Sequence, residues 1–170
     1  MGKGLVHIYT GDGKGKTSSA TGLAIRCAGY GKKVKIYQFL KATPTGELES
    51  LKKLGIEVVR INTCESFYYD MTEAEKEITK KETLNAVKSL FSENSDLVVL
   101  DEILCSVNNG ILSVDAVIDI IKNKPQNTEL VLTGRNMPQS LTEYADYVSE
   151  IKCIKHPYQN GVDARCGIDF

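Results

Sequence analysis

The chain has no tryptophan, two histidines, four prolines and no apolar run near the length of a membrane span, which takes ~20 residues. No membrane association is therefore expected. Its five cysteines, Cys27, Cys64, Cys105, Cys153 and Cys166, form no C-x-x-C pair. Their scatter argues against zinc and against a disulfide framework, and suits a reducing cytosol in which each is a small apolar filler. A charge imbalance is also missing. Twenty-one basic residues face 22 acidic ones for a net charge of −1, so there is no general pull toward nucleic acid or anionic lipid. The first strand-like run starts within a few residues of Met1, which leaves no room for a secretory leader. Repeats, linkers and low-complexity runs are absent. Residues 1–170 read as one cytoplasmic domain, its 42% hydrophobic and 25% charged content matching a globular core with a polar surface.

What the chain does have is glycine, 14 of them, three packed into one short stretch. Leu5 to Tyr9 is an apolar run that breaks into Thr10-Gly11-Asp12-Gly13-Lys14-Gly15-Lys16-Thr17-Ser18. A buried strand emptying into a glycine-rich turn that ends in Gly-Lys-Thr suits a polyphosphate. Glycine lets the backbone curl until successive N–H groups point inward. Lys16 adds a point charge for the β and γ phosphates, and the Thr17 hydroxyl can enter the shell of a Mg²⁺ ion. A helix starting near Lys16 aims its positive end at the same place. The first glycine of the usual G-x-x-x-x-G-K-T pattern is Thr10 here, and Gly11 and Gly13 supply the permissive dihedrals instead.

Strand-like and helix-like segments then alternate. Strands are expected at 33–39, 57–61, 97–100, 130–132 and 147–154. Helices are expected at about 16–29, 46–54, 72–91, 113–122 and 138–145. Thr72 and Glu75 form a capping box, and Ala74, Ile78, Leu84, Val87 and Phe91 lie near helical spacing behind it. This order implies right-handed β-α-β units: an α/β fold with a mostly parallel sheet flanked by helices, in the P-loop NTPase, RecA-like, architecture. Ligands of such sheets bind beyond the carboxyl ends of the strands. The glycine loop, Asp101-Glu102 and Thr133-Gly134-Arg135 all fall there. LVVLDE reads as the acidic strand of a nucleotide site, because Mg²⁺ prefers hard oxygen ligands. Asp101 and Glu102, taken as extended, face opposite ways, so one approaches the ion while the other anchors its surroundings. Arg135 either touches phosphate or holds the Thr133-Gly134 turn.

Mg-ATP follows from these residues; the reaction does not. The combination of TGDGKGKT, Arg26, the strand end Gln38-Phe39-Leu40-Lys41, LVVLDEI, LVLTGRN and the terminal EIKCIKHPYQNGVDARCGIDF resembles the P-loop type of ATP:cob(I)alamin (corrinoid) adenosyltransferase over essentially the whole chain. The resemblance implies attack of a reduced corrinoid's cobalt(I) on the 5′ carbon of ATP, with triphosphate leaving intact, in adenosylcobalamin biosynthesis or salvage. It implies Lys16, Thr17 and Glu102 as catalytic residues and Thr10 to Ser18 with Arg135 as the nucleotide site. Thr17 and Glu102, supported by Asp101, are the implied ligands of Mg²⁺, with Mn²⁺ as the alternative ion. Phe67, Tyr68 and Tyr69 fall where relatives place apolar side chains against the corrin to exclude the lower axial ligand. A tryptophan of well-known relatives is Tyr69 here. A homodimer and a reduced flavoprotein electron donor are also implied. Relatives often carry an amino-terminal segment that helps cover the corrinoid, and this chain starts almost at its first strand, so the site is expected either to be more open or to be closed by another element. The competing readings are a small-molecule kinase and a RecA-like ATP-binding module. Against the kinase stand only four dispersed arginines, Arg26, Arg60, Arg135 and Arg165; against the second stands the lack of a basic stripe.

Overall fold

A computed structural model describes residues 2–41, 44–64 and 66–170. Among them, six strands form one sheet in the order β3-β2-β4-β5-β1-β6, with every pairing parallel. The strands are β1 (Val6–Thr10), β2 (Val34–Gln38), β3 (Glu57–Arg60), β4 (Leu97–Asp101), β5 (Glu129–Thr133) and β6 (Tyr147–Glu150). The helices are α1 (Lys16–Gly29), α2 (Glu47–Lys53), α3 (Glu73–Ser89), α4 (Ile103–Asn108) and α5 (Val114–Asn123). Short 3₁₀ turns sit at Tyr68–Asp70, Gln139–Tyr144 and Pro157–Asn160.

Two-sided burial explains the unbroken apolar runs of the central strands. In β4, Val98 and Leu100 point to one layer, with Ile8, Leu130, Leu132, Ile103, Leu104, Val117 and Ile120. Leu97 and Val99 point to the other, with Ile36, Val131, Ala20, Ala24 and Leu51. The small Ala20 and Ala24 let α1 lie close to the sheet. Each fully buried Leu, Ile or Val contributes about 1.5–3 kcal/mol from surface removed from water.

Several expectations change. The residues of 33–39 alternate between polar and apolar types, yet all five residues of β2 are buried. Its Lys35 remains inside by pairing with Glu57 at 2.8 Å. The last strand stops at Glu150, short of Ile154, and the segment at 138–145 is a 3₁₀ turn. On α3 the capping box forms, with Glu75 N–H donating to Thr72 Oγ1 and Thr72 N–H donating to Glu75 Oε2. The face beneath it is different from the one the spacing indicates. Ile78 and Leu84 are 49% and 40% exposed, while Thr79 and Thr83 are buried with Leu90. The apolar positions of α3 drift around the helix, and the end of it, Val87, Leu90 and Phe91, anchors it to the core.

α4 was not expected at all. It starts because the chain turns sharply after β4: Glu102 adopts φ +64, a left-handed conformation unusual for a residue with a side chain. Asp101 and Glu102 are therefore not consecutive extended residues. Asp101 ends the strand and Glu102 caps the next helix, so the difference in their directions comes from a backbone reversal and not from strand pleating.

Candidate active site

Because all strands run the same way, their carboxyl ends share one rim. A cleft of about 1210 Å³ opens there, lined by the glycine loop, the start of α1, Lys41, α2, Glu102, Arg135 and the carboxyl-terminal tail. Of the expected nucleotide residues, Asp12, Gly13, Lys14, Gly15, Lys16, Thr17, Ser18 and Arg135 line it. Thr10 turns aside, its hydroxyl accepting from Met137 N–H at 3.3 Å.

The loop glycines serve a second purpose besides curling. Gly11 sits at φ +108, and a Cβ there would lie 2.3 Å from the Ile151 carbonyl oxygen. A Cβ on Gly13 would lie 2.7 Å from the Lys152 carbonyl carbon. The segment after β6 is thus packed directly onto the loop. Gly13 N–H donates to Ile151 O at 2.8 Å, and Cys153 N–H donates to Asp12 Oδ1 at 3.1 Å. The Cys153 N–H first, and then Asp12's own N–H, hold the Asp12 carboxyl below its ordinary range. Asp12 therefore ties the loop to the tail.

Lys16 is buried, and its ammonium donates to Gly13 O at 2.9 Å. Burial pushes its pKa down, against the pull of nearby Glu102. A buried ammonium held, among the described residues, by a loop carbonyl alone is poised to take an anionic ligand. Lys14 instead reaches the tail, donating to Ile168 O at 2.9 Å and pairing with the Asp169 carboxylate.

The acidic side is a connected network. Thr17 Oγ1 donates to Asp101 Oδ1 at 3.0 Å, and Thr133 Oγ1 donates to the same oxygen at 2.7 Å. Glu102 N–H donates to Thr133 Oγ1 at 2.9 Å, which fixes the left-handed turn. Thr133 is fully buried. Gly134 follows at φ +145, where a Cβ would lie 2.6 Å from Leu104 Cβ. Lys41 completes the network: its ammonium donates to Asp101 Oδ2 at 2.6 Å and to Thr17 Oγ1 at 3.1 Å. Glu102 turns its carboxylate toward the cleft and accepts from Cys105 Sγ at 2.7 Å. Burial and the neighbouring Glu102 carboxylate push the Cys105 thiol up to about 12, so it stays a donor.

Thr17 and Asp101 bring oxygen donors together beside the glycine loop, Glu102 lines the same cleft, and Asp101 already holds a cationic ammonium. That chemistry fits a hard divalent ion such as Mg²⁺, which takes one or two carboxylates and completes its shell with water and phosphate oxygens.

Sequence reasoning missed the roles of Thr133 and Lys41. Thr133 was placed at the rim by its strand end, and Lys41 follows the end of β2, but their bonds to Asp101 join residues 32 and 60 positions apart, which residue types along the chain do not reveal. Phe67, Tyr68 and Tyr69 lie outside the cleft. Phe67 and Tyr69 are 71% and 76% exposed, and their rings stack at 5.6 Å. His156 lines the cleft, while its Nδ1 accepts from Tyr158 N–H at 3.2 Å. His7 lies elsewhere, stacked on Tyr147 and bonded to Glu129. Arg26 is exposed on α1 and does not line the cleft.

A solved structure of similar shape is the flagellar accessory protein FlaH from Methanocaldococcus jannaschii. It superposes with a TM-score of 0.62 at 12% identity, over 88% of this chain and 72% of that one, a likeness of fold alone. Sequence relatives are much nearer. The corrinoid adenosyltransferase of Escherichia coli K12 is 35% identical across 99% of this chain and 86% of its own length. Corrinoid adenosyltransferase CobA of Salmonella typhimurium is 34% identical across 99% and 86%, and the Pseudomonas aeruginosa PAO1 corrinoid adenosyltransferase 34% across 99% and 84%. The profile of the family described as ATP:corrinoid adenosyltransferase BtuR/CobO/CobP matches residues 2–170. With the glycine loop, the acidic strand end and the tail all within that match, the chain belongs to the ATP:corrinoid adenosyltransferases, enzymes that move the adenosyl group of ATP onto a corrinoid.

Proposed function

We propose that the Gly11–Thr17 turn binds the triphosphate of ATP as a leaving group, leaving the 5′ carbon open to the cobalt(I) of a reduced corrinoid. The cobalt–carbon bond forms as the carbon–oxygen bond to the α phosphate breaks, and the electron pair departs on triphosphate. Cobalt(I) is the nucleophile, so no protein base is required. The loop's N–H groups and Lys16 stabilise the charge that gathers on the departing oxygen. Thr17 and Glu102, with Asp101 behind them, would hold Mg²⁺, which supplies further charge neutralisation when bound. Positioning does the rest. The observation that carries this reading is the buried Lys16 lining the cleft beside Thr17, whose hydroxyl donates to the buried Asp101 behind it.

The exposed, stacked Phe67–Tyr69 pair, with Tyr68 beside it, is the surface we assign to the corrin face. Both belong to the segment between β3 and α3. We read the architecture as RecA-like because β5 stands between the loop strand β1 and the acidic strand β4. A homodimer, a reduced flavoprotein donor and a cytoplasmic setting complete the proposal. No described helix is long and apolar enough to cross a membrane.

An anaerobic assay with Mg-ATP and chemically reduced cobalamin tests it. A light-sensitive product with one equivalent of triphosphate is expected, and ADP would point to a kinase instead. Lys16→Ala should lower turnover by at least about 100-fold, the size of effect seen when one charge-stabilising donor is lost. Phe67→Ala should slow reaction with intact cobalamin more than with a four-coordinate cobalt(I) corrinoid. Equal slowing would remove the aromatic pair from the axial-ligand role.

A further inference from the structure

The turn after β2 is built to deliver one side chain. Leu40 takes φ +53, a strained left-handed conformation for a branched residue. The strain is held from both sides. Leu40 N–H donates to Asn62 Oδ1 at 2.6 Å, and Arg60 Nη2 donates to the Lys41 carbonyl at 2.9 Å. Phe39 N–H donates to Asp101 O at 2.9 Å, which fastens the same turn to the end of the acidic strand. The result places the Lys41 ammonium on Asp101 Oδ2 and Thr17 Oγ1 together.

These two oxygens belong to the donor set that fits a divalent ion. Thr17 spends its single proton on Asp101, so the lone pair left on its oxygen faces a cation, and Lys41 is that cation. Asp101 is 1% exposed, so its carboxylate needs a positive partner whenever no metal is present. An ammonium and a doubly charged ion cannot share Thr17 Oγ1 at bonding distance, because like charges that close repel strongly. Lys41 also lines the cleft. Its side chain is 23% exposed, so its head has a way out.

We propose that Lys41 is an exchangeable counter-ion. It holds the Asp101–Thr17 pair in shape without metal and yields it when Mg-nucleotide arrives, its ammonium then turning to the phosphates. This makes it a positioning residue of the metal side, and it rests on the reading of the cleft as a Mg-triphosphate site.

Thermal unfolding of wild type and Lys41→Met, each in EDTA, in ATP with EDTA and in saturating Mg-ATP, tests it. Without metal, Lys41→Met strands a buried carboxylate and should melt about 5–15 °C below wild type. In Mg-ATP the gap should shrink to less than about a third of that, because the metal replaces the lost charge. A gap that is unchanged in Mg-ATP, or absent in EDTA, overturns the exchange. Should Lys41→Met not fold, Lys41→Gln, whose amide still donates to Asp101, is compared by the same criterion. Failure of Mg-ATP to protect wild type would sink the site reading along with the exchange. Protection of wild type with a persistent gap would sink only the exchange.

Discussion

Glycines at 11 and 13 answer to two demands at once. The backbone must curl at the end of β1, with Gly11 at φ +108, and the chain at Ile151–Lys152 lies against its back. Gly13→Ala must therefore displace backbone and not a flexible side chain. We expect it to destabilise the protein by about 1–3 kcal/mol, the usual penalty of overpacking. Urea unfolding measures this, with an unchanged midpoint counting against the contact. The strand–turn–helix unit itself was readable from residue types alone, since an apolar run that ends in spaced glycines marks where a strand stops and the chain turns. The assignment of tasks within it was not. Lys14 and Asp12 look like phosphate-facing residues in the sequence, yet both hold the tail, 155 and 141 positions away.

Helix α3 separates what local chemistry sets from what packing sets. Its capping box was legible because the Thr72 and Glu75 partners lie within one turn. Thr72→Ala should cost about 0.5–2 kcal/mol, read by urea unfolding. Hydrogen bonds from Thr72, backbone first, hold the Glu75 carboxyl below its ordinary value. Its folded pKa lies below the unfolded one, so its contribution is present above the ordinary glutamate range. That contribution is lost as pH falls through the lowered folded value. Acid unfolding of Glu75→Gln should lack that component, whereas Thr72→Ala, which keeps the backbone donor, should lose only part of it. The buried face of α3 was not legible, because Ile78, Leu84 and Val87 do not follow one stripe. Leu84→Gln should change stability by no more than about 0.5 kcal/mol, and Leu90→Ala should cost about 2–5 kcal/mol. Similar losses from both would mean that α3 is rotated from the orientation described.

Across the molecule, the tail brings chain ends together over the loop. The Lys14–Asp169 pair is partly exposed, so it contributes at most about 1 kcal/mol. Asp169→Ala frees the Lys14 ammonium for nucleotide and should tighten ATP binding by up to about fivefold at low salt, less at high salt. Calorimetric titration at two ionic strengths checks this, and weaker binding would show that the tail supports the nucleotide and does not compete with it. The alternation of the longer strands and helices, the parallel sheet and the glycine-rich turn between β1 and α1 were legible in the primary structure. Each is a short-range pattern of apolar spacing, glycine and charge that a few neighbouring residues impose. The left-handed turn at Glu102, the burial of Thr133, the seat of Lys41 on Asp101 and the docking of the tail emerged only on folding. Each depends on residues from separate strands meeting at one rim, where distance in space and not distance along the chain governs which groups share a proton or a charge.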